Sequence, residues 1–398
     1  MISIFNNVIS FIGENEEFFK IEKENYKDIL SYLKTGDKNE YINFLEEIGI
    51  KEKLFKDKEK LLFAMKRSLK KVELAFPVPN SFNIELTTRC PLRCPQCYCF
   101  LDSGMDIDIE VAKKYIKEAS NIGVNYVNLS GGETLAYPNL FKLISFCTEN
   151  NIISSIAISG WNFDKKVLSK LIHCGINSIS VSLNGSTEEI NSKTRDGYKF
   201  AINALDVLNK SNFNNYTINW VAHNSNIDDF TNLVKLAKKY NVRDISVLSA
   251  KPDASFRMDT IPTIDNFIKL GDFIKGYKDD KLEINVEDCY QSLLFYVNED
   301  NLYKDYCMAG VKNFSISVEG KFTPCRHINY EEEASSIIEY WENSMFLKKL
   351  RKSNLDVREP CVSCKYCDKC NPCAAINYKV NNELYKGNKY CYINNINK

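Results

Sequence analysis

The chain has 398 residues, 44% of them hydrophobic, enough to bury the cores of two or three domains of ordinary size. Its 52 Lys plus Arg balance its 52 Asp plus Glu, so no global field recruits nucleic acid or an anionic membrane. The N-terminal MISIFNNVISFIG lacks the basic region of a signal peptide, and no stretch reaches the ~18 apolar residues of a membrane span. The expected compartment is the cytosol, where thiols stay reduced, so the fifteen cysteines point to metal rather than to a disulfide framework.

In chain order, residues 1–75 read as an apolar hairpin (MISIFNNVISFIG, then EEFFKIEKEN) followed by two helical patterns, YKDILSYLKTG and KNEYINFLEEIGI. This unit resembles a small winged-helix domain. A Lys-rich helical stretch, KEKLFKDKEKLLFAMKRSLKKVELAF, leads to the linker PVPNSF. From residue 82 to 284 short β-rich runs alternate with amphipathic helices. The runs are FNIELTT, VNYVNLSGG, IISSIAISG, INSISVSLNG, YTINWVAH and VRDISVLSA. Six such repeats predict an α/β fold with a parallel sheet curled into a partial (β/α)6 barrel, whose chemistry sits beyond the C-terminal ends of its strands. The last segment, 285–398, has little periodicity and is expected to be held together by its cysteines.

The loop TTRCPLRCPQCYC follows the first of these strands and sets Cys90, Cys94 and Cys97 at CxxxCxxC spacing, with Cys99 two residues on. A cubane iron–sulfur cluster wants four thiolates and would take three here, leaving one iron open; structural zinc takes four closed ligands, usually from paired CxxC knuckles. The second strand is followed by SGGET, Gly131-Gly132-Glu133. Together the two motifs resemble the radical S-adenosylmethionine (SAM) superfamily. The resemblance implies that Cys90, Cys94 and Cys97 hold a [4Fe–4S] cluster whose fourth iron is chelated by the amino and carboxylate groups of SAM. By position it also implies SAM contacts from Tyr98, Gly131, Gly132, Glu133, Ser159, Ser182, Arg195 and Leu248. Two positions depart from the family's pattern: Gln96 stands where an aromatic residue commonly precedes the third cysteine, and Asn184 replaces the Asp of SxDG.

The C-terminal segment resembles the SPASM extension of that superfamily. Cys307 and Gly320-KFTP-Cys325 precede the dense run Cys361-VS-Cys364-KYCDK-Cys370-NP-Cys373, and Cys391 closes the pattern. The resemblance implies two auxiliary [4Fe–4S] clusters, three clusters in all. Cys361, Cys364, Cys370 and Cys391 would ligate the outer one; Cys307, Cys325 and Cys373 would hold the inner one, with Cys289 as candidate fourth ligand. Zinc knuckles are the alternative for CVSC and CNPC. Cys367 lies inside the dense run, Cys147 and Cys174 read as packed helical thiols, His173 as structural, and His223 and His327 as candidates for proton transfer. The resemblance further implies a peptide maturase that takes a hydrogen atom from a ribosomally made precursor, gripping its leader with the N-terminal unit and drawing electrons from a flavodoxin or ferredoxin type donor. The product would carry a thioether, a carbon–carbon crosslink or an epimerised centre. A sulfatase-maturase type is disfavoured because Arg326, not Asp, follows Cys325, and a zinc-stabilised binding protein is the reading from another class.

Overall fold

The computed structural model describes residues 2–5, 8–12, 18–21, 25–47, 78–97, 99, 104–251, 261–297, 307, 309–368, 370–387 and 391–393. The Lys-rich stretch before the linker and Tyr98 lie outside the described residues.

The N-terminal unit is a three-stranded antiparallel sheet, β1 (Ile2–Phe5), β2 (Val8–Ile12) and β3 (Phe18–Ile21), followed by the helices Tyr26–Thr35 and Glu40–Glu47. Gly36, at φ 79°, ends the first helix by donating its N–H to the carbonyl of Tyr32, the conformation that glycine adopts without Cβ strain.

All six expected barrel strands form: β4 (Ser81–Glu85), β5 (Tyr126–Ser130), β6 (Ile153–Ile158), β7 (Ser178–Ser182), β8 (Tyr216–Ala222) and β9 (Asp244–Ser249). Neighbours pair in parallel in sequence order. Between them run amphipathic helices such as Ile109–Ile122, started by Asp108, whose carboxylate accepts from the Glu110 and Val111 N–H groups. That helix buries Ala112, Tyr115, Ile116, Ala119 and Ile122, the three- and four-residue spacing of one face.

The chain beyond β9 differs from expectation in one respect: it enters the sheet on both sides. β10 (Glu283–Val286) extends β9 in parallel, while β11 (Asn313–Ile316) pairs in parallel with β4 and in antiparallel with β12 (Phe322–Thr323). The nine strands run β10-β9-β8-β7-β6-β5-β4-β11-β12, so β4 and β9 stay apart and the barrel is open. Apolar packing joins this segment to the barrel. The Phe314 ring stacks on Phe82 across the β4–β11 seam at 5.5 Å between centroids, Phe322 stacks on Tyr340 at 4.7 Å, and both belong to the same continuous core as Trp220 and Leu129. A fully buried Phe contributes ~1.5–3 kcal/mol from removal of its surface alone, so this seam is a stabilising contact in its own right.

Candidate active site

The cysteine loop is shaped by its stem. Thr87 Oγ1 donates to an Asp106 carboxylate oxygen at 2.6 Å, and Arg89 makes an ion pair with Asp106 at 3.0 Å, closing the loop at its base. Against this stem packs the turn after β5: Gly132 N–H donates to Thr87 O at 2.6 Å and Glu133 N–H to Arg89 O at 2.8 Å. Here the two glycines find a physical reason beyond approach to a ligand. A Cβ on Gly131, itself at φ 133°, would lie 2.5 Å from Thr87 O, and one on Gly132 would lie 2.3 Å from Arg89 O. Only glycine lets the two motifs lock together.

Beyond the strand ends lies a cavity of about 780 Å³. Cys90, Cys94 and Cys97 line it together with Gly131, Gly132, Glu133, Ser159, Ser182, Arg195 and Leu248, so every described residue expected at the SAM site faces one space. Burial pushes the Cys90 and Cys94 thiols up, and the neighbouring thiols add to it. Three half-buried thiols in mutual electrostatic contact, ending on one cavity, are the donor set that a soft iron site needs. Among the described residues no three His, Cys, Asp or Glu side chains converge on a single metal ion.

Glu133 is 2% exposed, and burial raises its pKa against the opposing effect of its hydrogen bonds and of Arg195. Ser159 N–H donates to its carboxylate at 2.9 Å, Leu135 N–H at 3.3 Å, and the Ser159 hydroxyl also donates to it. Ser159 thus orients Glu133 as well as facing the cavity. Arg195 is held by the Asn191 side chain, whose Nδ2 donates to Arg195 O at 2.7 Å, while its buried Nε has no hydrogen-bond partner. A buried guanidinium N–H without a partner at the wall of a cavity fits an anionic group such as the SAM carboxylate. Ser130 Oγ, at the end of β5, is likewise buried and unpartnered on this wall; no motif position had marked it.

Lys251, Arg326 and His327 also line this cavity. Lys251 follows β9 and was not expected from the sequence, although residues just beyond barrel strands are where such folds place function. Burial lowers its pKa, yet the nearby Cys289, Cys373 and Cys325 thiols outweigh it and hold the ammonium above its ordinary range. Cys289 is therefore close to the proposed inner ligands. Cys307 meets Cys373, and that contact together with burial pushes the Cys307 thiol well up. Cys325 Sγ accepts the His327 N–H at 3.3 Å. A second cavity, about 80 Å³, is lined by Cys361, Cys364, Cys367, Cys370 and Cys391, and also by Cys289, Cys373 and Lys386. Burial, then Cys391, Cys361 and Cys364, raise the Cys370 thiol, so these three lie near Cys370. Lys386 donates from Nζ to Cys367 O. Cys147 is fully buried in the barrel core, its thiol pushed up to about 12 by burial, as a packed cysteine should be.

Glu85, the last residue of β4, has its pKa raised to about 7 by burial, with Arg326 lowering it and Glu331 raising it. A carboxyl that is harder to ionise in the folded than in the unfolded chain binds more protons when folded between about pH 4.5 and 7. Folding stability from this group is then fullest at low pH and falls as pH rises through that window. Glu85→Gln should raise the thermal midpoint at pH 8 and leave it nearly unchanged at pH 5, measured by calorimetry; an equal shift at both values would contradict this.

An open parallel α/β barrel, with three thiols beyond its first strand and Gly-Gly-Glu locked to them beyond its second, is the arrangement that the two sequence motifs lead one to expect. Residues 84–237 form the domain in question: they match the family described as the Radical SAM superfamily. Over 341 residues, 79% of this chain and 96% of the relative, the sequence is 24% identical to the AdoMet-dependent heme synthase of Methanosarcina barkeri. It is 25% identical to the PqqA peptide cyclase of Bradyrhizobium diazoefficiens over 320 residues, 73% of this chain and 80% of the relative. Among solved structures, Streptococcus suis SuiB bound to S-adenosylmethionine is similar with a TM-score of 0.68 at 18% identity, covering 98% of this chain and 99% of SuiB. SuiB bound to the precursor peptide SuiA gives a TM-score of 0.65 at 18% identity, covering 98% and 100%. No helix among the described residues is long and apolar enough to cross a membrane.

Proposed function

We propose that the chain is a peptide maturase that takes a hydrogen atom from a ribosomally made precursor peptide, so that a thioether, carbon–carbon crosslink or epimerised centre forms. The observation that carries this reading is one large cavity lined both by the Cys90, Cys94 and Cys97 thiols and by Lys251, Arg326 and His327, with Lys251 beside the inner thiol group. At about 780 Å³ it has room for SAM and a substrate side chain together. The similarity to a peptide cyclase and to SuiB, which was solved with a precursor peptide, favours a peptide over other substrates.

When bound, a [4Fe–4S] cluster held by Cys90, Cys94 and Cys97 together with SAM would supply one-electron reductive cleavage chemistry, and with it a radical able to take hydrogen from carbon. The residues of this chain have the remaining tasks. Glu133, aimed by Ser159, receives the SAM ammonium; Arg195 receives the carboxylate; Ser182 and Leu248 bound the nucleoside. Arg326 and His327 bring the C-terminal segment to the cavity, where it would help to keep water from the reacting carbon. Cys307, Cys325 and Cys373 with Cys289 are assigned to the inner auxiliary cluster, and Cys361, Cys364, Cys370 and Cys391 to the outer one. These clusters would accept the electron left after substrate oxidation, and a flavodoxin or ferredoxin type protein would deliver the first.

The three-stranded N-terminal sheet has β1 and β3 at its edges, where an extended leader peptide can add as a further strand. Deleting residues 1–75 should therefore spare uncoupled SAM cleavage and weaken precursor binding about tenfold or more, roughly the loss of one or two good anchors. Unchanged affinity in a folded truncation would rule out the recognition role.

The function itself is tested by co-expressing the chain with small open reading frames adjacent to its gene and analysing each peptide by mass spectrometry. Loss of two hydrogens marks a crosslink, and an unchanged mass with an inverted residue marks epimerisation. No modification of any adjacent peptide, with SAM cleavage intact, would turn attention to a different substrate class.

A further inference from the structure

The two positions at which the chain departs from the radical SAM pattern, Gln96 and Asn184, touch each other. Their orientation can be deduced from a backbone donor whose direction is not in question. Val221 N–H donates to Asn184 Oδ1 at 3.1 Å, so the other side of the Asn184 amide is Nδ2. That Nδ2 donates to Thr194 Oγ1 at 2.8 Å and to Gln96 Oε1 at 2.8 Å. The Gln96 atom facing Asn184 is therefore oxygen. His223 Nε2 lies 2.6 Å from the same oxygen and must bring a proton to it, which fixes His223 as protonated on Nε2.

The supports are deep. Asn184 is 1% exposed, and its backbone carbonyl accepts from Trp220 Nε1 at 3.2 Å and from Asn226 Nδ2 at 3.0 Å. His223 is 4% exposed, and its backbone N–H donates to Asn226 Oδ1 at 2.8 Å. The main chain of Gln96 is tied to the same element, its N–H donating to Thr194 O at 3.2 Å, one residue before Arg195. With its oxygen occupied by two donors, Gln96 has its amide N–H2 turned away from them. Gln96 is half-buried and lines the main cavity, so its side chain can be reached from that space.

We propose that Gln96 is a SAM-binding residue that donates a hydrogen bond from its amide N–H2 to an acceptor atom of the bound cofactor, and that Asn184 and His223 are the positioning residues that aim it. Where an aromatic side chain offers a face, this chain offers a directed donor, and Asn184 is needed in place of Asp because a carboxylate has no N–H to give to Gln96 Oε1. The inference rests on the reading of the main cavity as the SAM site.

The test measures SAM dissociation constants by equilibrium dialysis on the anaerobically reconstituted, full-length holoprotein, with iron content checked for each variant. Gln96→Met should raise the constant about tenfold, the loss of roughly one good hydrogen bond in a partly enclosed site. His223→Ala should raise it about threefold in the wild-type background and leave it unchanged in the Gln96→Met background, because a group that acts only by aiming another has nothing to aim there. Wild-type affinity in Gln96→Met at full iron content would overturn the proposal. Should that variant lose iron, Gln96→Glu, which keeps both accepted hydrogen bonds and removes the donors, gives the answer: a tenfold loss supports the proposal and wild-type affinity overturns it. An equal effect of His223→Ala in both backgrounds overturns the positioning role. Failure of the unaltered holoprotein to bind SAM would instead remove the site reading, and this inference with it.

Discussion

Replacing Cys90, Cys94 and Cys97 together by alanine should remove about a third of the iron of the reconstituted protein, since on the proposed assignment one of three four-iron clusters would lose all its protein ligands. SAM cleavage should fall to background. The auxiliary thiols belong to other groupings than this loop: Cys361, Cys364, Cys370 and Cys391 line a different cavity, and Cys289, Cys325 and Cys373 are grouped about Lys251. Their iron, and the absorption it produces, should persist. A wild-type protein that binds only about four irons, or a C-terminal segment that holds stoichiometric zinc, would contradict the assignment of the auxiliary sites.

Gly132→Ala should lower the rate of SAM cleavage about a hundredfold, the scale expected when reacting groups are displaced by about 1 Å. The new Cβ would lie 2.3 Å from Arg89 O, with Arg89 C at 2.8 Å and Thr88 C at 3.1 Å, so it meets backbone rather than a side chain that can swing aside. Something in the lock between the two motifs must move: either the cysteine loop or the peptide that carries Glu133. Most of the iron should stay, because the auxiliary thiols are untouched, which separates this outcome from global unfolding. Cleavage at the wild-type rate would show that the turn after β5 does not set the geometry of the site.

The barrel strands were legible because each is a run of β-branched or apolar residues at a spacing the alternating helices confirm, as in IISSIAIS and VRDISVLS. β11 and β12 were not. They are four and two residues long, and β11 owes its existence to pairing with β4, some 230 positions away, a partner no local pattern reveals. The site divides in the same way. The thiols, Gly131, Gly132 and Glu133 announce themselves because their chemistry needs fixed spacing in one loop. Lys251 gives no such signal, and its meaning comes only from the three cysteines that the fold gathers round it. Gln96 and Asn184 were visible as departures from a pattern, but that one compensates the other depends on a hydrogen bond between residues 88 positions apart.

The central claim, that this chain cleaves SAM reductively in order to modify a peptide, is tested most directly by quantifying 5′-deoxyadenosine and modified peptide together. The assay takes the anaerobically reconstituted holoprotein, SAM, a one-electron donor and the precursor peptide encoded beside the gene. The account predicts 5′-deoxyadenosine formed in step with each modification event and absent when Cys90, Cys94 and Cys97 are replaced. Peptide modification without 5′-deoxyadenosine, or no 5′-deoxyadenosine from a fully loaded protein, would contradict it.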